Sequence, residues 1–270
     1  IPIPTYQKNN FALMPEEINK RITNKTKILV IVSPNNPTGA VTPPDKIIQI
    51  AEIVKKNNLI VISDEIYADL VYENHKHLSI GSLEDMKDRT LTLNGFSKTY
   101  AMTGWRIGYI AGPKDIIKKM IEIRHALSIN SCTFSQYGAI AALNGSQEEF
   151  IKMKEEYNIR RKFCMSSLKE MRLSFGEPGG AFYIYTNVSN SNLKQDPVVQ
   201  AEFGHIQNKI EKHFSLSKES FEYPSFYSVY NFAKHVSNKK IMGKSLNSDL
   251  LLEKKSWRFL ATTYSRIVMI

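Results

Sequence analysis

The sequence predicts an α/β fold: a mostly parallel sheet flanked by helices, followed by a smaller α+β domain at the C-terminal end. Two observations carry this expectation. Between Lys27 and Gly112, short β-branched runs alternate with segments of helical period, the signature of crossover units around a largely parallel sheet. From Gln147 to Met171, a stretch rich in Glu, Lys, Met and Arg reads as one long helix that carries the chain away from the sheet. The expected division is a large domain over residues 1–160 and a small one over residues 161–270. With 270 residues, 42% of them hydrophobic, the chain can bury a sizeable core, which excludes a disordered chain.

KILVIVS (27–33) reads as the first buried strand. PPDKIIQIAEIVKKNN (43–58) opens with prolines suited to a helix first turn and places Ile47, Ile48, Ala51 and Val54 on one face, the pattern of a crossover helix. NLIVIS (58–63), TLTLN (90–94) and RIGYIAG (106–112) are further strands, and a helix runs from Pro113 to about Leu127. AFYIYTNV (181–188) is a strand of the second domain, preceded by the turn-forming EPGG at Glu177 to Gly180. Beyond Val188 the pattern weakens into polar, Asn-rich and Lys-rich segments.

The net charge of +10 would suit a nucleic acid or an anionic ligand. The lysines, however, are scattered as solvated helix faces, for example Lys118 with Lys119 and Lys152 with Lys154, and no nucleic-acid-binding signature accompanies them. No nucleic acid partner is expected. No window holds the roughly 18 apolar residues of a membrane span, so no membrane partner is expected either. The opening IPIPTYQKNN lacks the charged start and apolar run of a signal peptide, and Cys132 and Cys164 have no paired spacing. A reducing, cytoplasmic location follows. His75 and His77, flanking Lys76, read as a polar loop, and no metal is expected.

Three residues fall at or just past the carboxyl ends of the expected strands: Asn36 in SPNNPTG, Asp64 in VISDEIY and Lys98 in LNGFSKTY. In open parallel sheets the ligand crevice lies outside those ends, so residues distant in sequence converge there. Such a set matches what pyridoxal phosphate requires. Lys98 supplies the amine for a Schiff base and later a general base. Asp64 sits against the ring nitrogen and keeps it protonated. Asn36 and Tyr67 donate to the phenolate oxygen, which favours the ionised oxygen and lowers the pKa of the imine. Arg106, with its planar guanidinium, is the phosphate partner, and Ser97 and Thr99 offer hydroxyls beside the lysine. Taken singly, each has a dull alternative: a surface lysine, an Asp capping a helix, an Arg in an ordinary ion pair, a packed tyrosine, hydroxyls that cap the backbone. The combination points to the cofactor.

SPNNPTG (33–39), SDEIYADLVYE (63–73), NGFSKTYAMTGWRIGYIAGP (94–113) and PGGAFYIY (178–185) together closely resemble class I and II pyridoxal-phosphate aminotransferases. The spelling is most similar to the prokaryotic aspartate and aromatic aminotransferase subgroup, over about the first two thirds of the chain. The resemblance implies an aspartate-aminotransferase-like large domain and a homodimer acting on an amino acid and a 2-oxo acid. It also puts Asn36, Asp64, Tyr67, Lys98 and Arg106 on the family's cofactor positions and implies a cis Asn36–Pro37 bond.

Three departures accompany it. The chain is expected to begin partway through the family's large domain, without its glycine-containing phosphate loop and cofactor-stacking aromatic. Gly95 stands where many relatives have a Ser three residues before the lysine. LLEKKSWRFLATTYSRI (251–267) looks like two family segments joined with the strand between them shortened. The family holds the substrate α-carboxylate with an Arg near R-x-S-Y-A-T. WRFLATTY offers Arg258 with one residue fewer before the Ala, and Arg266 is a substitute. The expected activity is transamination through a Lys98 Schiff base. Two alternatives stay open: a pyridoxal-phosphate β-lyase, marked by pyruvate and ammonia formed without an acceptor, and a non-catalytic truncated remnant that stays colourless with added cofactor.

Overall fold

A computed structural model describes residues 1–187 and 267–269, all within one compact unit. The elements run α1 (Pro15–Asn19), β1 (Ile28–Val32), α2 (Pro44–Lys56), β2 (Ile60–Asp64), β3 (Thr90–Gly95), β4 (Gly108–Ala111), α3 (Lys114–Ser128), α4 (Thr133–Asn144), α5 (Glu148–Glu170), β5 (Ser174–Phe175), β6 (Tyr183–Asn187) and β7 (Ile267–Met269). Strands β1 to β4 form one sheet in sequence order. β1, β2 and β3 are parallel, and β4 turns back antiparallel to β3. A three-stranded sheet, β5-β6-β7, is antiparallel.

The mostly parallel sheet and flanking helices are those the sequence predicts, with local differences. Helix α2 starts on Pro44, whose fixed φ suits the first turn, and buries Ile47, Ile50, Ala51 and Val54. Ile48, expected on that face, is 48% exposed, because the i, i+3, i+4, i+7 row from Ile47 passes through Ile50 instead. The buried row packs on Leu29, Ile31 and Val61 with Ile18, Leu59, Ile80 and Met86 to form the main core. Fully burying a side chain such as Ile50 or Val54 stabilises by ~1.5–3 kcal/mol. β1, expected to be buried, hides only one face, and Ile28 and Val30 of the other are 53% and 59% exposed. The expected strand at 106–112 starts only at Gly108, since Arg106 adopts the left-handed region with φ 50°.

Two glycines join the SPNNPTG loop to the EPGG turn. Gly39, at φ 68°, has no room for a Cβ, which would lie 2.5 Å from Pro178 Cβ and from the Tyr183 carbonyl oxygen. A Cβ at Gly180 would lie 2.8 Å from Pro34 Cβ and 2.9 Å from the Leu70 carbonyl oxygen, and the Gly180 N–H donates to the Gly39 carbonyl at 2.9 Å.

Candidate active site

Register places the three strand ends side by side, since Val32 pairs with Asp64 and Asp64 with Leu93. Beyond β1, Asn35 Oδ1 accepts from Thr38 Oγ1 at 2.8 Å, which folds the loop back and leaves Asn36 exposed. The Asn36–Pro37 bond is cis, as the resemblance implies, and Ser33–Pro34 is cis as well. Asp64 ends β2. Its Oδ1 accepts the Ile66 N–H at 3.1 Å, a local turn that fixes the carboxylate where the strand stops.

The next residue, Glu65, is buried and points elsewhere. It accepts from Ser63 and Ser79 hydroxyls, each at 2.8 Å, and meets His77 Nε2 at 3.1 Å. Burial pushes its carboxyl up, but the bonds from His77, Ser63 and Ser79 outweigh that and hold it below the usual carboxylate value. His77 is therefore a partner of a buried carboxylate, where the sequence reads a polar loop.

Lys98 sits on a tight turn after β3, in which Tyr100 and Met102 N–H groups return to the Phe96 carbonyl. Thr99 Oγ1 donates to Asp69 Oδ2 at 2.9 Å and pins this turn to the segment after β2. Lys98 Nζ lies 5.1 Å from the Phe182 ring centroid and 5.6 Å from that of Tyr67. These faces attract the ammonium form. Burial, with help from the Arg106 guanidinium, still pushes the amine below the ordinary lysine value. That shift favours a neutral nucleophile.

Tyr67 is buried, and its hydroxyl is 2.7 Å from the hydroxyl of Tyr183. Burial, reinforced by the Tyr183 hydrogen bond, drives it far above the ordinary phenol range, so it stays protonated. Its ring stands edge-on to Phe182 at 5.3 Å and to Tyr183 at 5.7 Å. Phe150, Met153 and Tyr157 of α5 back this cluster.

Arg106 is exposed, and its Nη1 donates to the Thr103 carbonyl at 2.9 Å. Thr103 Oγ1 in turn donates to the Ser97 carbonyl at 2.9 Å. The two expected phosphate residues, Ser97 and Arg106, are thus linked through Thr103. Arg258 and Arg266 lie outside the described residues.

Sequence reasoning missed Phe182 and Tyr183, which it treated as ordinary strand residues. The available signal was the PGG turn directly before them, because the Gly39–Gly180 contact delivers the segment to Lys98. It missed Arg161 as well. That side chain, 1% exposed, pairs with Glu73, donates to the Pro178 carbonyl at 3.0 Å and lies over the Tyr72 ring, bracing the turn from α5.

A groove of about 650 Å³ runs along β1, lined by Ile3, Leu13, Ile22, Ile28 and Val30 among others. It contains none of Lys98, Asp64 and Tyr67, and its charged lining is cationic: Arg21, Lys25 and Lys27. The strand ends, with an amine, a carboxylate and a phenol together, offer far more chemistry. A family model described as aminotransferase class I and II matches residues 1–216.

The chain belongs to the class I and II aminotransferase family.

Within this aminotransferase family, the chain is 44% identical over 195 residues to an aspartate aminotransferase of Pyrococcus abyssi, covering 72% of this chain and 50% of that protein. It is 41% identical, again over 195 residues, to aromatic-amino-acid aminotransferase 2 of Thermococcus litoralis, covering 72% and 50%. Among solved aminotransferases, that of Pyrococcus horikoshii, an aromatic aminotransferase, aligns with a TM-score of 0.68 at 44% identity, covering 69% of this chain and 50% of that one. A Thermus thermophilus aspartate aminotransferase with maleate aligns with a TM-score of 0.67 at 37% identity, covering 70% and 50%. The chain spans about half the length of the curated relatives it matches.

The side chains at the strand ends fit pyridoxal phosphate. A half-buried amine pushed below the ordinary lysine value, a carboxylate fixed at a strand terminus, a phenol whose ionisation burial opposes and an exposed guanidinium are groups that suit its aldehyde, ring nitrogen, phenolate and phosphate.

Proposed function

We propose that this chain is part of a pyridoxal-phosphate-dependent aminotransferase that moves an amino group from an L-amino acid of aspartate or aromatic type to a 2-oxo acid. The observation that carries the reading is Lys98, half-buried against Phe182 and Tyr67 with its charged form disfavoured. Lys98 would hold the cofactor through its amine and, when that amine is free, would take the proton from the substrate α-carbon. When bound, pyridoxal phosphate supplies the electron sink for the charge that this proton leaves behind. Asp64 holds a proton on the ring nitrogen, and Asn36 and Tyr67 donate to the phenolate oxygen. Arg106 and Ser97 hold the phosphate, and Arg258 holds the substrate α-carboxylate.

The same reading includes a homodimer, supported by apolar side chains standing in water on α3 and α4: Leu127 is 81% exposed, Phe134 71% and Tyr137 70%. It includes a cytoplasmic location, supported by two free cysteines. No helix among the described residues is long and apolar enough to cross a membrane.

Borohydride reduction of protein mixed with pyridoxal phosphate, followed by peptide mapping, tests the centre of this reading. The reduced label is expected on the Lys98 peptide, with 2-oxo acid formed from aspartate or phenylalanine when an acceptor is supplied. A label absent from that peptide rejects it.

A further inference from the structure

Tyr67 and Tyr183 come from segments far apart in sequence, yet their hydroxyls meet at 2.7 Å while both residues are buried, at 3% and 7% exposure. Each hydroxyl has one proton to give and can also accept. In the pair, one phenol spends its proton on the other. If Tyr67 were the donor, it would turn a lone pair toward the site, and an anionic oxygen on a ligand at Lys98 would be repelled. With Tyr183 as donor, the Tyr67 proton is released to point into the site. A chain of two donations also strengthens the second, because accepting a hydrogen bond polarises the hydroxyl that donates onward. Aromatic packing holds this geometry, since Phe182 meets both rings, at 5.3 Å for Tyr67 and 4.8 Å for Tyr183.

We propose that Tyr183 is a positioning residue: its hydroxyl donates to Tyr67 Oη, so that Tyr67 donates to the phenolate oxygen of pyridoxal phosphate held on Lys98. This rests on the cofactor assignment above. No bond is made or broken by Tyr183, which acts only through Tyr67. The consequence is a lower pH at which the Lys98 imine loses its proton, since a stronger donor on the phenolate stabilises the deprotonated imine.

The test is a visible-absorbance pH titration of the protein loaded with pyridoxal phosphate, carried out on the wild type, Tyr183→Phe, Tyr67→Phe and the double variant. A charge-assisted bond of ~1.5–3 kcal/mol corresponds to an upward midpoint shift of roughly one to two pH units for Tyr67→Phe. Cooperative strengthening of ~10–30% makes the shift for Tyr183→Phe about a third of a unit in the same direction. The double variant should match Tyr67→Phe. A merely structural role leaves the midpoint unmoved. An unchanged or lowered midpoint in Tyr183→Phe overturns the proposal, as does a Tyr183 effect that persists without Tyr67. Should Tyr183→Phe fail to fold, a singly ring-fluorinated tyrosine at position 183, a stronger donor, should lower the midpoint, and a rise overturns the proposal. Wild-type protein that never acquires the absorbance overturns the cofactor assignment itself, whereas normal absorbance with an unmoved midpoint overturns only the role of Tyr183.

Discussion

Replacing Gly39 with alanine should destabilise the chain strongly, and the structure gives the size of the effect. The backbone there has φ 68°, where a side chain costs ~1 kcal/mol or more. The new Cβ would sit 2.5 Å from Pro178 Cβ and from the Tyr183 carbonyl oxygen, and neither is the end of a flexible side chain. Relief requires the EPGG turn to move, an overpacking cost of ~1–3 kcal/mol. A total of about 2–4 kcal/mol converts to a fall in Tm of roughly 4–16 °C for a unit of this size. Thermal unfolding followed by circular dichroism measures it directly. Gly104 is the control: nothing lies within 4 Å of its Cβ position, so Gly104→Ala should change stability by less than about 0.5 kcal/mol. If Gly39→Ala melts within about 2 °C of the wild type, the reasoning from the close contact is wrong.

Arg161→Ala should lose ~1.5–3 kcal/mol in urea denaturation, because the buried guanidinium that bonds the Pro178 carbonyl and Asn158 disappears, while Glu73 stays exposed to water and keeps Lys162. Lysine at the same position should not restore it, and a loss below about 1 kcal/mol would contradict the bracing role. Glu65 has its carboxyl held below the ordinary value, so its contribution is complete above an unfolded pKa of about 4.3 and fades as pH falls through the folded value. Glu65→Gln should therefore be less stable at neutral pH and show a flatter acid limb, and a parallel pair of pH–stability curves would dismiss the assignment. Asp64→Asn keeps an oxygen for the Ile66 N–H but removes the charge, so retention of pyridoxal phosphate on dialysis should weaken by about 10-fold or more. Retention equal to the wild type would remove Asp64 from the ring nitrogen.

The parallel core was legible because ILVIV and IVISD are β-branched runs of strand length separated by a helix with a proline start. Which face of β1 is covered was not, since a continuous apolar run spells the same for one buried face as for two. Helix α4 escaped notice because Ser135, Gln136 and Gly138 interrupt its apolar residues and no stripe of period 3.6 stands out. The late start of β4, at Gly108, follows a left-handed Arg106, a conformation that residue type rarely announces. In the site, Lys98, Asp64 and Asn36 could be named because each follows a readable strand. Tyr183 and Arg161 could not, because their meaning lies in contacts with Tyr67 and Glu73 made across long stretches of chain.

The bond between Gly180 and Gly39 has a consequence for synthesis on the ribosome. A nascent chain that has emerged only as far as Met171 already contains all four strands of the first sheet, with Asn36, Asp64 and Lys98 at their ends. It still lacks Phe182, whose ring faces the Lys98 amine, and Tyr183, whose hydroxyl meets that of Tyr67. Until that segment arrives and meets the first loop through Gly180 and Gly39, the Lys98 amine lacks the Phe182 face. If Lys98 holds pyridoxal phosphate as proposed, the wall of its site is completed only once residues 182 and 183 have been made, after the strands of the sheet that displays the lysine.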